Sequence, residues 1–205
     1  MISRTLLATA LSLAFAAGAI AQTPTPPVAP ATTAVTTTQR DVNQQTRIVN
    51  GLKDGSLSTR EAAKLEGQEA RVDRLQAKDL KDGRLSVAER AELTAAQNKL
   101  SQNITAERHN GVTGNPESAS SRRMQADVAR NVAQEKRINA GVQSGSLTKH
   151  EAAKLERGQA VVASKEAAAA SNGHVGGAEQ RSIQRSQHHQ SKRIHREKTD
   201  AQTRS

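Results

Sequence analysis

Cysteine is absent from the chain, which excludes disulfides, thiolate metal ligands, cysteine nucleophiles and an N-terminal lipidated cysteine. Aromatic residues are almost missing as well: there is no Trp or Tyr, and the single Phe, Phe15, stands near the N-terminus. A chain without stacking platforms is a poor fit to single-stranded nucleic acid. Leu, Ile and Val are sparse while Ala is plentiful, so any core is thin and close to the composition of chains that cannot offset their ordering entropy. No apolar run reaches the ~20 residues that span a bilayer, which predicts no transmembrane segment. The G-x-S-x-G elbow, the H-E-x-x-H motif and the Walker phosphate loop are all missing. The sequence therefore reads as non-enzymatic, with no catalytic residue and no cofactor-binding loop.

The first residues resemble a secretory signal. Arg4 is followed by an apolar stretch over 6–17 and by Ala19-Ile20-Ala21, an A-x-A pattern that predicts cleavage after Ala21 and a periplasmic or secreted product. The formal charge of +10 then becomes about +9, and a basic stretch covers 181–204. Positive charge favours anionic surfaces without selecting one. The expected partners are an anionic envelope component or an acidic protein.

The strongest pattern is a repeat. Arg47-Ile48-x-x-Gly51-x-x-x-Gly55-Ser56-Leu57-x-x-x-Glu61-Ala62-Ala63-Lys64-Leu65-Glu66 returns without insertion or deletion as Arg137-Ile138-x-x-Gly141-x-x-x-Gly145-Ser146-Leu147-x-x-x-Glu151-Ala152-Ala153-Lys154-Leu155-Glu156, a duplicated module. A shorter theme recurs inside the first module, where Asp54-Gly55-x-Leu57-Ser58-x-x-Glu61 is followed by Asp82-Gly83-x-Leu85-Ser86-x-x-Glu89. Gly past a helix end, Leu as a staple and Ser with Glu as a capping box make each theme a helix-to-helix joint. The fourth copy carries Gly176 where Ser or Thr should cap, and it should be the weakest joint.

These signals predict an all-α fold of two tandem three-helix modules. The expected order is a signal peptide (1–21), a Pro- and Thr-rich disordered linker (22–38), module 1 (39–110), a linker (111–121), module 2 (122–198) and a disordered tail (199–205). Helices are expected over about 40–53, 59–81, 87–108, 122–143, 149–170 and 177–198.

Two motifs invite a metal reading. The joint theme matches later positions of the EF-hand calcium loop, so Asp54 with Glu61, and Asp82 with Glu89, are the candidate cation ligands. The opening carboxylates of such a loop are missing, because Asn50 and Leu52, or Lys78 and Leu80, stand there. His188, His189 and His195 cluster near the C-terminus, but their module 1 counterparts are Asn98, Lys99 and Thr105, and they read as exposed residues of a basic face. The remaining carboxylates, interspersed with Lys and Arg as in Glu61, Lys64, Glu66, Glu69, Arg71, Asp73 and Arg74, read as surface ion pairs.

The tandem Arg-Ile-x-x-Gly-x-x-x-Gly-x-Leu-Ser/Thr-x-x-Glu blocks, each followed by an Asp/Asn-Gly turn and a Ser-x-x-Ile helix end, resemble a group of uncharacterised exported bacterial proteins. That resemblance implies a bacterial envelope address and a duplicated helical unit, and it brings no activity. The expected function is a binding or structural component of the envelope with affinity for anionic partners. The alternatives are a calcium sensor or buffer using degenerate EF-hand-like loops, and a periplasmic chaperone-like or stress protein.

Overall fold

The computed structural model describes residues 30–81 and 85–200. They form six helices, α1 (Pro30–Asp54), α2 (Thr59–Asp79), α3 (Val87–Arg108), α4 (Ala119–Ser144), α5 (Lys149–Ala169) and α6 (Gly177–Thr199), and the fold is all-α. Segment 1–29, residues 82–84 and residues 201–205 lie outside the described residues. Helix α1 begins at Pro30, so its first turns run through residues assigned above to the spacer. Proline suits a first helical turn, where its missing N–H has no intrahelical partner to lose, and Thr37 and Thr38 are buried. No helix among the described residues is long and apolar enough to cross a membrane.

The joints form as their residues dictate. Ser58 with Glu61, Ser86 with Glu89 and Thr148 with Glu151 close reciprocal capping boxes. Gly176 keeps only the Glu179 half, its N–H donating to Oε2 at 2.7 Å, with no side-chain cap. Gly55 and Gly145 adopt φ of 79° and 78° after α1 and α4, the left-handed conformation that favours glycine. The repeat's other glycine has a packing reason. Leu57 folds back to donate its N–H to the Gly51 carbonyl at 2.9 Å, and Leu147 does the same to Gly141 at 3.0 Å. A Cβ on Gly51 would stand 2.6 Å from Leu57 Cδ1.

The modules do not stand apart. The most extensive helix packing is α2 on α5, followed by α1 on α4, and both pairs cross between modules. Both pairs are antiparallel: Arg60 reaches the Asn172 carbonyl while Gly67 faces Ala167, and Gln39 meets Asn139 while Gln125 reaches the Leu52 carbonyl. Helices α1, α2, α4 and α5 thus make a central four-helix layer related by an approximate two-fold, with α3 and α6 on the flanks. The two modules therefore pack on each other, chiefly through α2–α5 and α1–α4.

Two apolar clusters result, each drawing on both modules. One joins Ile48, Leu52 and Leu65 to Met124, Val128 and Ile183; the other joins Leu80 to Ile138, Leu147 and Ile194. The middles of the four central helices hold polar residues instead.

Gly51→Ala should destabilise the fold by about 1–3 kcal/mol through overpacking against Leu57. Gly67→Ala should be stabilising by about 0.5–1 kcal/mol, because its Cβ would make ordinary 3.6 Å contact with Ala167. Thermal unfolding followed by circular dichroism checks both, and equal effects would contradict the packing.

Candidate metal centre

The middle of the bundle is acidic. Asp41 of α1, Glu66, Glu69 and Asp73 of α2, Asp127 and Glu135 of α4, and Glu156 and Glu166 of α5 are each at most 2% exposed. No Lys, Arg or His is buried among the described residues. The cations instead line the outside, with Lys64, Arg71 and Arg74 exposed on the opposite face of α2. This corrects the surface ion-pair reading of Glu66, Glu69 and Asp73. Their spacing of three and four residues places them on the face of Leu65 and Val72, which are buried too.

Burial is the first cause of an upward pKa shift at all eight carboxyls, because a low-dielectric interior penalises the charged form. Asp127 is raised to about 6, Asp41 and Glu66 to about 7 and Glu135 to about 8. Repulsion adds to burial at Glu69, Asp73 and Glu156, which lie well above the carboxylate range. Asp73 feels Glu69, Glu135 and Asp41 in turn.

Carboxylate oxygens of Asp41, Glu135 and Glu156, from three different helices, lie within 4.8 Å of one another. Asp41 is held in place: Oδ2 accepts from Gln76 Nε2 at 2.6 Å and Oδ1 from Gln97 Nε2 at 2.8 Å. Both oxygens of Glu69, Asp73 and Glu156, and Oε2 of Glu135, have no hydrogen-bond partner. Buried oxygens in that condition are costly, and a proton or a cation is what the arrangement can accept. Oxygen-only ligands suit hard cations such as calcium, magnesium or manganese.

The residues proposed from the joint motif serve the turns. Asp54 accepts from Ser56 N–H at 2.9 Å and from Arg108 at 2.7 Å. Burial raises its pKa, but these bonds outweigh burial and leave it below the usual value. Glu61 is likewise raised by burial and lowered further by Asn110 and Ser58. Glu89 closes the Ser86 box, and Asp82 lies outside the described residues. Among the described residues, no cluster of cation-binding groups includes Asp54, Glu61 or Glu89. A further trio, Glu151, Glu197 and Asp200, converges where α5 begins and α6 ends. There Glu151 holds the Thr148 cap and Glu197 accepts from Arg196. His188 and His189 are exposed on α6 with their rings edge to face at 6.4 Å.

Compared with protein-family models, curated proteins and solved structures, the chain matches none.

Unfolded carboxyls release protons near pH 4, whereas Asp41, Glu66, Asp127 and Glu135 hold theirs to about 6–8. The folded state therefore binds more protons in that window, and stability of the cation-free protein falls as pH rises through it. Thermal unfolding in chelator should show a lower midpoint at pH 8 than at pH 5. A higher midpoint at pH 8 would contradict the buried-acid description.

Proposed function

We propose that this is an exported binding protein whose cargo is a divalent cation, held in the core of the helical bundle rather than in its turns. The observation that carries the reading is Glu156, fully buried, with both oxygens unpartnered and one of them converging with Asp41 and Glu135. A core that concentrates negative charge without a cationic side chain is unfavourable unless the charge is neutralised. Binding a divalent ion neutralises it while leaving the fold closed. The signal-like N-terminus supports action outside the cytoplasm, and the arrangement would hold an ion without presenting it to a substrate. The working surface of the protein is then its interior.

Cation-free protein at pH 8 should gain thermal stability when calcium, magnesium or manganese is added. Saturation at about one hundred times Kd corresponds to ~2.7 kcal/mol, or roughly 5–10 °C for a chain of this size. An unchanged melting curve with all three ions would sink the proposal.

A second reading concerns the exterior. A groove of about 540 Å³ between α5 and α6 has Val161 and Val162 on its floor and Arg157, Lys192, Arg193 and Arg196 around it. The matching groove in module 1 is lined by Gly67 and Asn103 at the places of Arg157 and Arg193. Module 1 keeps Lys64, Arg71 and Lys99 around its groove, and module 2 adds Arg157 and Arg193 to a cationic rim over apolar residues, which suits an anionic lipid surface. Vesicles containing phosphatidylglycerol should retain the protein in about 0.1 M salt and release it in about 1 M, where the screening length falls from ~10 to ~3 Å. Retention that ignores salt, or that survives Arg157→Gln with Arg193→Gln, would contradict this reading.

A further inference from the structure

The duplication places the residues of the acidic cluster opposite counterparts ninety positions away, and the two sets have diverged, five acids on one side against Glu66, Asp127 and Glu166 on the other. Asp41, Glu69, Asp73, Glu135 and Glu156 correspond to Asn131, Gln159, Ala163, Gln45 and Glu66. Four of the five acids in the first set are thus neutral in the second, and the neutral residues are mostly amides. The neighbours have diverged in step. Gln76 donates to Asp41 in the first set; in the second, Asn131 donates to Glu166 at 2.7 Å, so the acid and the amide have changed places across the same contact.

The consequence is visible in the bonding. In the second set Gln45 donates to Glu66 at 3.1 Å, and Gln187 and Asn131 satisfy both oxygens of Glu166. Two carboxylate oxygens there, Glu66 Oε1 and Asp127 Oδ2, are left without a partner, against seven in the first set: both oxygens of Glu69, Asp73 and Glu156 and one of Glu135. Amide donors close most of one half of the core; the other half leaves both oxygens of Glu69, Asp73 and Glu156 without a donor.

We propose that the core holds a single cation site, in the acid-rich half, where Asp41, Glu135 and Glu156 ligate one divalent ion beside Glu69 and Asp73, while the amide-rich half is its closed duplicate. This rests on the cation reading above and adds its place and stoichiometry. Oxygens no more than 4.8 Å apart all lie within about 2.8 Å of a common point, so one divalent ion placed there can reach all three. Glu69 and Asp73 supply further oxygens towards the six to eight that calcium takes. Gln76 and Gln97 orient Asp41, the role of outer-ring partners at metal centres. Thiolates are absent from the chain and no His is buried among the described residues, which disfavours zinc and copper.

The duplicate supplies the control substitutions. Glu135→Gln installs the residue that already stands at Gln45, and Glu166→Gln changes a buried acid of the closed half. Calorimetric titration of the chelator-treated full chain with calcium chloride at pH 8, with circular dichroism as the check on folding, should give one ion per wild-type chain. Glu135→Gln should weaken binding at least about a hundredfold while remaining helical, and Glu166→Gln should leave affinity within about threefold. The double variant Gln45→Glu with Asn131→Asp reopens the duplicate and should bind a second ion. If wild-type protein binds no calcium, magnesium or manganese, the cation reading itself falls. If it binds an ion with Glu135→Gln and Glu166→Gln equally harmful or equally harmless, or binds two ions before any change, the reading stands and the single acid-half site is overturned.

Discussion

Eight carboxyls enclosed without one cationic side chain among them set the terms for this fold. Each ionised carboxylate taken from water costs several kcal/mol unless it is neutralised, and Lys64, Arg71 and Arg74 point away from the interior. The protein meets that constraint in two ways. At Glu66 and Glu166 it supplies amide donors from Gln45, Asn131 and Gln187. At Glu69, Asp73 and Glu156 it supplies none, and neutralisation there must come from protons or from an ion.

The same constraint explains why the modules interleave. A single three-helix unit with this composition would leave its acidic middle open to water, where carboxylates are comfortable and hold no ion tightly. Crossing α1 on α4 and α2 on α5 closes the middle between two apolar clusters, each made of residues from both copies. Small residues on α2 and α5, such as Gly67 facing Ala167, let the backbones approach. Duplication therefore supplies the enclosure as well as a second copy, and divergence between copies could then treat the two halves of one interior differently.

Much of the local structure was legible in the chain. Ser58 with Glu61, Thr148 with Glu151 and the left-handed Gly55 and Gly145 follow from local chemistry, and they place the helix ends near their observed positions. The weak cap at Gly176 was legible for the same reason. The start of α1 was not, because the prolines before it suggested an extended chain through Thr38, whose burial depends on partners distant in sequence. The acidic core was missed for a similar reason. Glu66, Glu69 and Asp73 alternate with Lys64, Arg71 and Arg74, which looks like a solvated face, and only the partner helices decide which side is covered. One signal was available: residues 66, 69, 73 and 76 share the stripe of Leu65 and Val72, and an acidic residue on an apolar stripe marks a buried polar site or a mistaken face.

Diffraction from crystals grown with calcium or a heavier ion of its size, using that ion's anomalous signal, tests the central claim most directly. The account predicts one peak among the carboxylates of Asp41, Glu135 and Glu156, with none beside Gln45 and Asn131. A well-ordered core with no peak, its carboxyls hydrogen-bonded to one another through shared protons, would contradict it.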